Sequence, residues 1–194
     1  MGKRRPEQGK KAGMMKDRRG MAAVEFALIA PALIFLVIGV MEMAFRFRAK
    51  EEAVRYVHQV ADLISRENNL TTAQLKQIYD ASIYMMKPLE TTSRLDLDVS
   101  SVGYGAAPAL TPSIMWRRVS GTAVPFTVTD TNGMGGANET VIRVGVRYRY
   151  TSPISSLFGG ANMSIEEEAI SRPREQRVIP VDSHTNENGV ITYF

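Results

Sequence analysis

A chain of 194 residues with a net charge of +4 and no cysteine excludes disulfides, thiolate zinc sites, thiol catalysis and lipoprotein acylation. The positive charge does not describe a nucleic-acid surface. Residues 1–20 hold eight Lys/Arg against two Asp/Glu, net +6, while the remainder holds 16 against 18, net −2.

The chain opens on residues 1–17, rich in Lys and Gly and without apolar periodicity, which predicts a disordered basic lead. Such a segment, ending at Gly20, is easily presented to a protease. From Met21 to Ala44 the sequence is apolar except for Glu25 and Glu42. As a helix, a run of this length rises about 36 Å, enough to cross a hydrocarbon core of roughly 30 Å. A removed secretory signal is the competing reading. It fits less well, because the run exceeds a signal's roughly 7–15 apolar residues and no A-x-A site follows. The lead carries eight basic residues and the stretch 45–64 carries four. The N-terminus is therefore expected in the cytoplasm and the remainder across the membrane.

Within the span, Pro31 removes a backbone hydrogen bond, and Gly39 and the alanines leave room for close helix contact. Beyond it, Arg46, Arg48 and Lys50 can reach headgroups while Phe45 and Phe47 sit at the interface. No proline or glycine interrupts 49–66. There Ala53, Val54, Val57, Val60, Ala61 and Ile64 recur at spacings of three and four, so the helix should continue as an amphipathic arm. The alternative is a separate short helix after a break near Phe47. Thr71 and Gln74 have the form of a capping box and predict a second helix over Thr72–Met86, stopped by Lys87-Pro88, with Leu75, Ile78, Tyr79, Ser82 and Met85 or Met86 near one face.

After Pro88 the period becomes two. Leu95, Leu97 and Val99 alternate with Arg94, Asp96 and Asp98; 113–120 places Trp116 on a second strand; 122–129 is a third, demoted to an edge by Pro125. The clearest strand is 139–151, whose arginine face (Arg143, Arg147, Arg149) is expected in solvent. Further strands are expected at 163–171 and at 174–181, with a short one at 190–193. The order predicts an α+β chain: leader 1–20, transmembrane helix 21–44, head 45–181 with a second helix and an antiparallel meander, and tail 182–194.

Candidate chemistry is sparse. His58 and His184 are too far apart in sequence for a local ligand pair and read as surface or tail residues. The glycines of 133–136 sit in a hairpin loop and read as flexibility, not as a phosphate cradle. Glu166, Glu167 and Glu168 read as a solvated strand edge with Glu167 facing away from its neighbours. Sequons at Asn69, Asn138 and Asn162 matter only in a glycosylating compartment. No catalytic residue, cofactor or metal is expected, nor a nucleic-acid or small-molecule partner. One constellation stands out: Gly20, then MAAVEF, with Glu25 at the fifth place. A carboxylate in an apolar helix is costly, roughly 2.5–3.5 kcal/mol at mid-span, and needs a partner or a shallow position. A cut after Gly20 frees an amine at Met21, which in one subunit could meet Glu25 of its neighbour. Otherwise Glu25 sits at headgroup level beside Arg18 and Arg19.

The basic lead, RRG and then MAAVEFALIAP with its long apolar helix resemble the TadE-like family of minor pseudopilins in the tight-adherence (Tad/Flp) branch of type IV pilus machines. The stretch 61–82 and the ending with YRYTSPISSLFGG and AISRPRE are similar more loosely. The resemblance implies a pilin-like fold and cleavage by a prepilin peptidase between Gly20 and Met21. It also implies that Glu25 is the pilin-type glutamate, with a single-pass inner-membrane anchor and a periplasmic head. Implied partners are the membrane, that peptidase, other Tad pilins and pseudopilins, and an inner-membrane assembly platform, in a machine of adhesion and biofilm. Phe26 stands where tyrosine often follows the glutamate in major Flp pilins, and the head is large, which favours a minor subunit. A similar start occurs in TadF and TadG proteins. An uncleaved TadG-like scaffold is the alternative within the machine, and a membrane-tethered periplasmic enzyme the alternative outside it.

Overall fold

The computed structural model describes residues 18–152, 154, 162–182 and 190–192, so the expectations for the basic lead, for His184 and for most of the tail lie outside them. Two units follow one another along the chain, Met1–Met41 and Glu42–Phe194. Helix α1 (Arg18–Ser65) runs through both without the alternative break near Phe47, and it keeps Pro31 inside it. In the first unit the helix is long and apolar enough to cross a membrane, with a mean hydropathy of 2.5 in a window of which none is buried.

The second unit is an α+β head. The α1 arm buries Ala49, Ala53, Tyr56, Val57, Val60, Ala61 and Ile64, the spacing of a helix with one core face. Val54, expected on that face, is only half-buried, and Tyr56, not expected there, is fully buried with its hydroxyl donating to the Ile78 carbonyl at 3.3 Å.

Helix α2 (Thr72–Met85) starts at the predicted capping box. Thr71 Oγ1 accepts from the Gln74 amide at 3.2 Å, and Gln74 Oε1 accepts from the Thr71 amide at 2.8 Å, which satisfies two N-terminal donors that the helix itself cannot. Leu75, Ser82 and Met86 are buried, and Ile78, Tyr79 and Met85 pack against the same core. Thr71→Ala should cost about 0.5–2 kcal/mol, measured by denaturant unfolding of the full-length protein. An unchanged midpoint would show that the cap is not formed in solution.

The sheet has five strands in the order β4-β3-β1-β2-β5. Strands β1 (Leu95–Tyr104), β2 (Pro112–Ser120), β3 (Thr140–Thr151) and β4 (Asn162–Ser171) are antiparallel to their neighbours. This is not the expected meander. β3 returns to the far side of β1, so β1 becomes the central strand, and β5 (Val190–Thr192) pairs with β2 in parallel. The expected strand at 174–181 is absent; that stretch crosses irregularly, joined to Leu70 by a single parallel bridge at Val181. Two clusters flank the sheet. The larger packs Leu95, Leu97, Val99, Trp116, Ile142, Val144 and Val146 against the helices, and a smaller one gathers Val102, Tyr104 and Val141 with Phe126 and Val128. Trp116 is fully buried and donates its indole N–H to the Ile179 carbonyl at 2.8 Å.

That second cluster overturns two expectations. The segment 122–129 is no edge strand but an irregular stretch running into a 3-10 helix at Val128–Thr131. The arginine face of β3 meets solvent only at one end: Arg149 is exposed and Arg147 half-buried, but Arg143 is fully buried beside β1, all ten of whose residues are buried. The glycine loop is likewise not merely flexible. A Cβ at Gly135 would lie 2.2 Å from the Tyr104 ring, whose hydroxyl donates to the Thr131 carbonyl at 2.5 Å.

Candidate functional site

Gly20, Met21 and Glu25 lie in the first turns of α1, all exposed. Residues four apart share a helix face, so the Met21 nitrogen and Glu25 are separated by one turn, a rise of about 6 Å. A Cβ at Gly20 would meet nothing within 4 Å, so no packing in this chain demands a glycine there. Its bond to Met21 lies within the first turn of α1, and helix ends fray.

In the head, the titratable side chains converge on the outer face of the sheet. Asp98, fully buried on β1, accepts from Arg117 Nε at 2.9 Å and Nη2 at 2.5 Å, and from the Val124 amide at 3.0 Å. Arg143 Nη1 stands 3.5 Å from the same carboxylate, while its Nε reaches Glu168 at 3.1 Å and its Nη2 donates to the Pro125 carbonyl at 3.3 Å. The Phe126 ring lies 4.4 Å from the Arg143 guanidinium, close enough for a cation–π contact. Asp96 forms a two-pronged pair with Arg149, at 2.6 and 3.0 Å. Hydrogen bonding to Asp98, opposed by burial, raises the pKa of Arg117, which keeps it charged. Both oxygens of each aspartate accept from a fixed guanidinium, and Asp98 accepts from a backbone amide as well, so the Asp98 cluster is suited to holding segment 121–131 on the sheet.

Two glycines make this approach feasible. Gly145 pairs with Asp98 across the ladder, and a Cβ there would lie 2.7 Å from the Arg143 guanidinium. Gly121, at φ +81°, leaves space that the Asp96 carboxylate fills. The three glutamates divide as the alternation predicts: Glu166 pairs with Arg147 at 2.8 Å, Glu168 with Arg143, and Glu167 on the opposite face with Lys50 at 3.4 Å. The charges sit on the edge strand, where they discourage pairing with another chain.

A third polar contact ties α2 to the segment after 170. Asp182 accepts from the Thr72 amide at 2.9 Å and from the Thr72 hydroxyl, and Arg118 stands 3.7 Å away. A carboxylate at a helix N-terminus is favourable, and α2 has no acid of its own in its first turn. Burial opposes ionisation of Asp182, but Thr72 and Arg118 outweigh it and hold its pKa below the usual aspartate value. The unfolded chain therefore binds this proton more tightly than the folded one. The stability Asp182 supplies is full above the unfolded value of about 3.9 and is lost as pH falls through the lower, folded value. Asp182→Asn should remove that part of the acid dependence, measured by unfolding between pH 2 and 6, and a wild-type pH profile would contradict the assignment.

Among the described residues no group of three or more His, Cys, Asp or Glu could hold a metal ion, and His58 is exposed on α1. No curated protein and no solved structure matches the chain. Residues 20–62, which hold the apolar helix with Gly20, Met21 and Glu25 and most of the amphipathic arm that follows it, match the model of the TadE-like protein family.

Proposed function

We propose that the protein is a minor pseudopilin that takes part in assembling a tight-adherence pilus. It is anchored once in the bacterial inner membrane, with a cytoplasmic N-terminus and a periplasmic head. The observation that carries this reading is one helix with two uses. Its first part is exposed, apolar and bears Gly20, Met21 and Glu25, its later part is the core of a packed head, and the family match spans both. The protein acts by helix packing and head contacts, alongside other Tad pilins and the inner-membrane assembly platform, and not by catalysis.

The processing step is hydrolysis. A prepilin peptidase adds water across the Gly20–Met21 bond, leaving a carboxylate on Gly20 and an amine on Met21. The amine, with an ordinary pKa of about 7.7–8.0, is largely protonated near neutral pH. The same cut shortens α1 so that Glu25 falls close to its positive N-terminal end. The Met21 ammonium of one subunit then pairs with the Glu25 carboxylate of its neighbour and sets their lateral register.

A second reading, an uncleaved scaffold of the same system, is favoured by one feature: the Gly20–Met21 bond lies inside α1, which begins at Arg18, so the peptidase must first unwind that turn. Intact mass of the membrane-extracted protein, from cells with and without the peptidase, separates the two. A start at Met21 that requires the enzyme supports the pseudopilin. A start at Met1 in both cases leaves the scaffold.

A further inference from the structure

The apolar run of α1 ends near Ala44, and two residues earlier stands Glu42, the first residue of the head unit. Its side chain does not face the lipid alone. Glu42 accepts from Arg46 Nε at 2.7 Å and from the hydroxyl of Ser152, the residue that follows β3, and both partners belong to the head. Ser152 is buried, and burial together with the Glu42 carboxylate raises the pKa of Tyr150 beside it. One end of the sheet is thus tied to the helix residue at which the apolar run stops.

The position of Met163 follows from the ladder. It pairs with Tyr150, two residues before Ser152, so it lies about 7 Å or less along the strand from the residue bonded to Glu42. A headgroup layer is roughly 5–8 Å deep on each side of the hydrocarbon core. Met163 nevertheless keeps 44% of its surface exposed at the start of an edge strand, and Phe47, about 7.5 Å beyond Glu42 on the helix, keeps 61%. Arg48 is exposed on α1 between Phe47 and the rest of the arm, the aromatic and basic character that suits a headgroup layer.

We infer that the head has a second contact with the membrane besides its anchor: the end of the sheet formed by the close of β3 and the start of β4 rests on the phospholipid headgroups, with Met163 and Phe47 in that layer. The partner is a lipid surface, because the site is continuous with the span and lies at its boundary. The inference rests on reading residues 21–44 as a membrane span.

Because the chain has no cysteine, single thiols report position cleanly. Full-length Leu33→Cys, Phe47→Cys, Met163→Cys and His58→Cys, each labelled with an environment-sensitive fluorophore, are reconstituted into phosphatidylethanolamine–phosphatidylglycerol vesicles. The vesicles carry a nitroxide either on the headgroup or deep in the acyl chain. The expected result is deep quenching at Leu33, and headgroup quenching at Phe47 and Met163 several-fold stronger than at His58, which lies about 24 Å beyond Glu42 on the helix. Deep quenching at Leu33 with Met163 no better quenched than His58 overturns the sheet-end contact and leaves the anchor standing. Absence of quenching at Leu33 removes the span itself. Self-quenching at Met163 that disappears on dilution with unlabelled protein, without headgroup quenching, overturns the inference in favour of a second copy covering this end.

Discussion

Asp98→Ala should lower the unfolding free energy of the full-length protein by about 3–5 kcal/mol, the cost of breaking a buried ion pair by removing one partner. The substitution leaves the Val124 amide without its acceptor and takes the carboxylate away from Arg117 and Arg143, whose remaining contacts are the Val124 carbonyl for the first and Glu168 and the Pro125 carbonyl for the second; Asp98 and Arg143 are buried, so no solvent replaces it. The damage should extend past β1. Segment 121–131 is held to the sheet by the Val124 amide on Asp98, by the Val124 and Pro125 carbonyls on Arg117 and Arg143, and by Phe126 over the Arg143 guanidinium. Denaturant unfolding followed by Trp116 fluorescence reads the effect, since this tryptophan is the sole one in the chain and is buried in the head. Asp80→Ala is the control. Asp80 pairs with Lys76 at 3.4 Å with both side chains more than half exposed, so its removal should leave the midpoint unchanged. A loss below about 1 kcal/mol for Asp98→Ala, the range of a solvated surface pair, would mean that this face is open to water.

The contrast between these two aspartates explains what could be read along the chain. The helices were legible because their signals are local: an apolar stripe at spacings of three and four, and a Thr71–Gln74 box within one turn. Strand positions followed from alternation, but alternation does not say what the polar residues face. Asp96 and Asp98 on β1, and Arg143, Arg147 and Arg149 on β3, form the same pattern whether they meet solvent or one another. Only the return of β3 to the side of β1 decides it. The complementary charges were a usable clue, an acidic face on one strand and a basic face on another.

Segment 122–129 misled for a related reason. Val124, Phe126 and Val128 alternate as in a strand, yet both edges of β1 are already taken by β2 and β3, so the segment packs its side chains on the sheet's face instead. Asp182 carried no local signal, because its partner Thr72 is 110 residues away. Gly20, Met21 and Glu25 were legible for the opposite reason: one carboxylate in an apolar run is conspicuous without any tertiary information, and the structure adds only that the three share the exposed first turns of α1.

Glu25→Gln should leave the protein inserted and cut after Gly20 but defective in assembly. The substitution keeps the size of the side chain and removes its charge. It cannot weaken anchoring, because a charge within a span opposes insertion, by roughly 2.5–3.5 kcal/mol at the centre and less near the boundary. On the proposed pairing, what it removes is attraction to the neighbour's Met21 ammonium. For unit charges about 4 Å apart this is worth about 4 kcal/mol at an effective dielectric constant of 20, about a thousand-fold in an association constant. Lateral association should fall on that scale, measured by co-purification of crosslinked neighbouring subunits from membranes, with surface pili counted in the same cells. The mature mass should remain that of a chain beginning at Met21. Normal processing with normal assembly in Glu25→Gln would remove the amine–carboxylate pair from the mechanism and leave register to the packing of the apolar helices alone. Glu25→Asp separates charge from reach: it keeps the carboxylate but withdraws it by about 1.5 Å, one C–C bond, so recovery of association only in part is the result expected if the pair is direct.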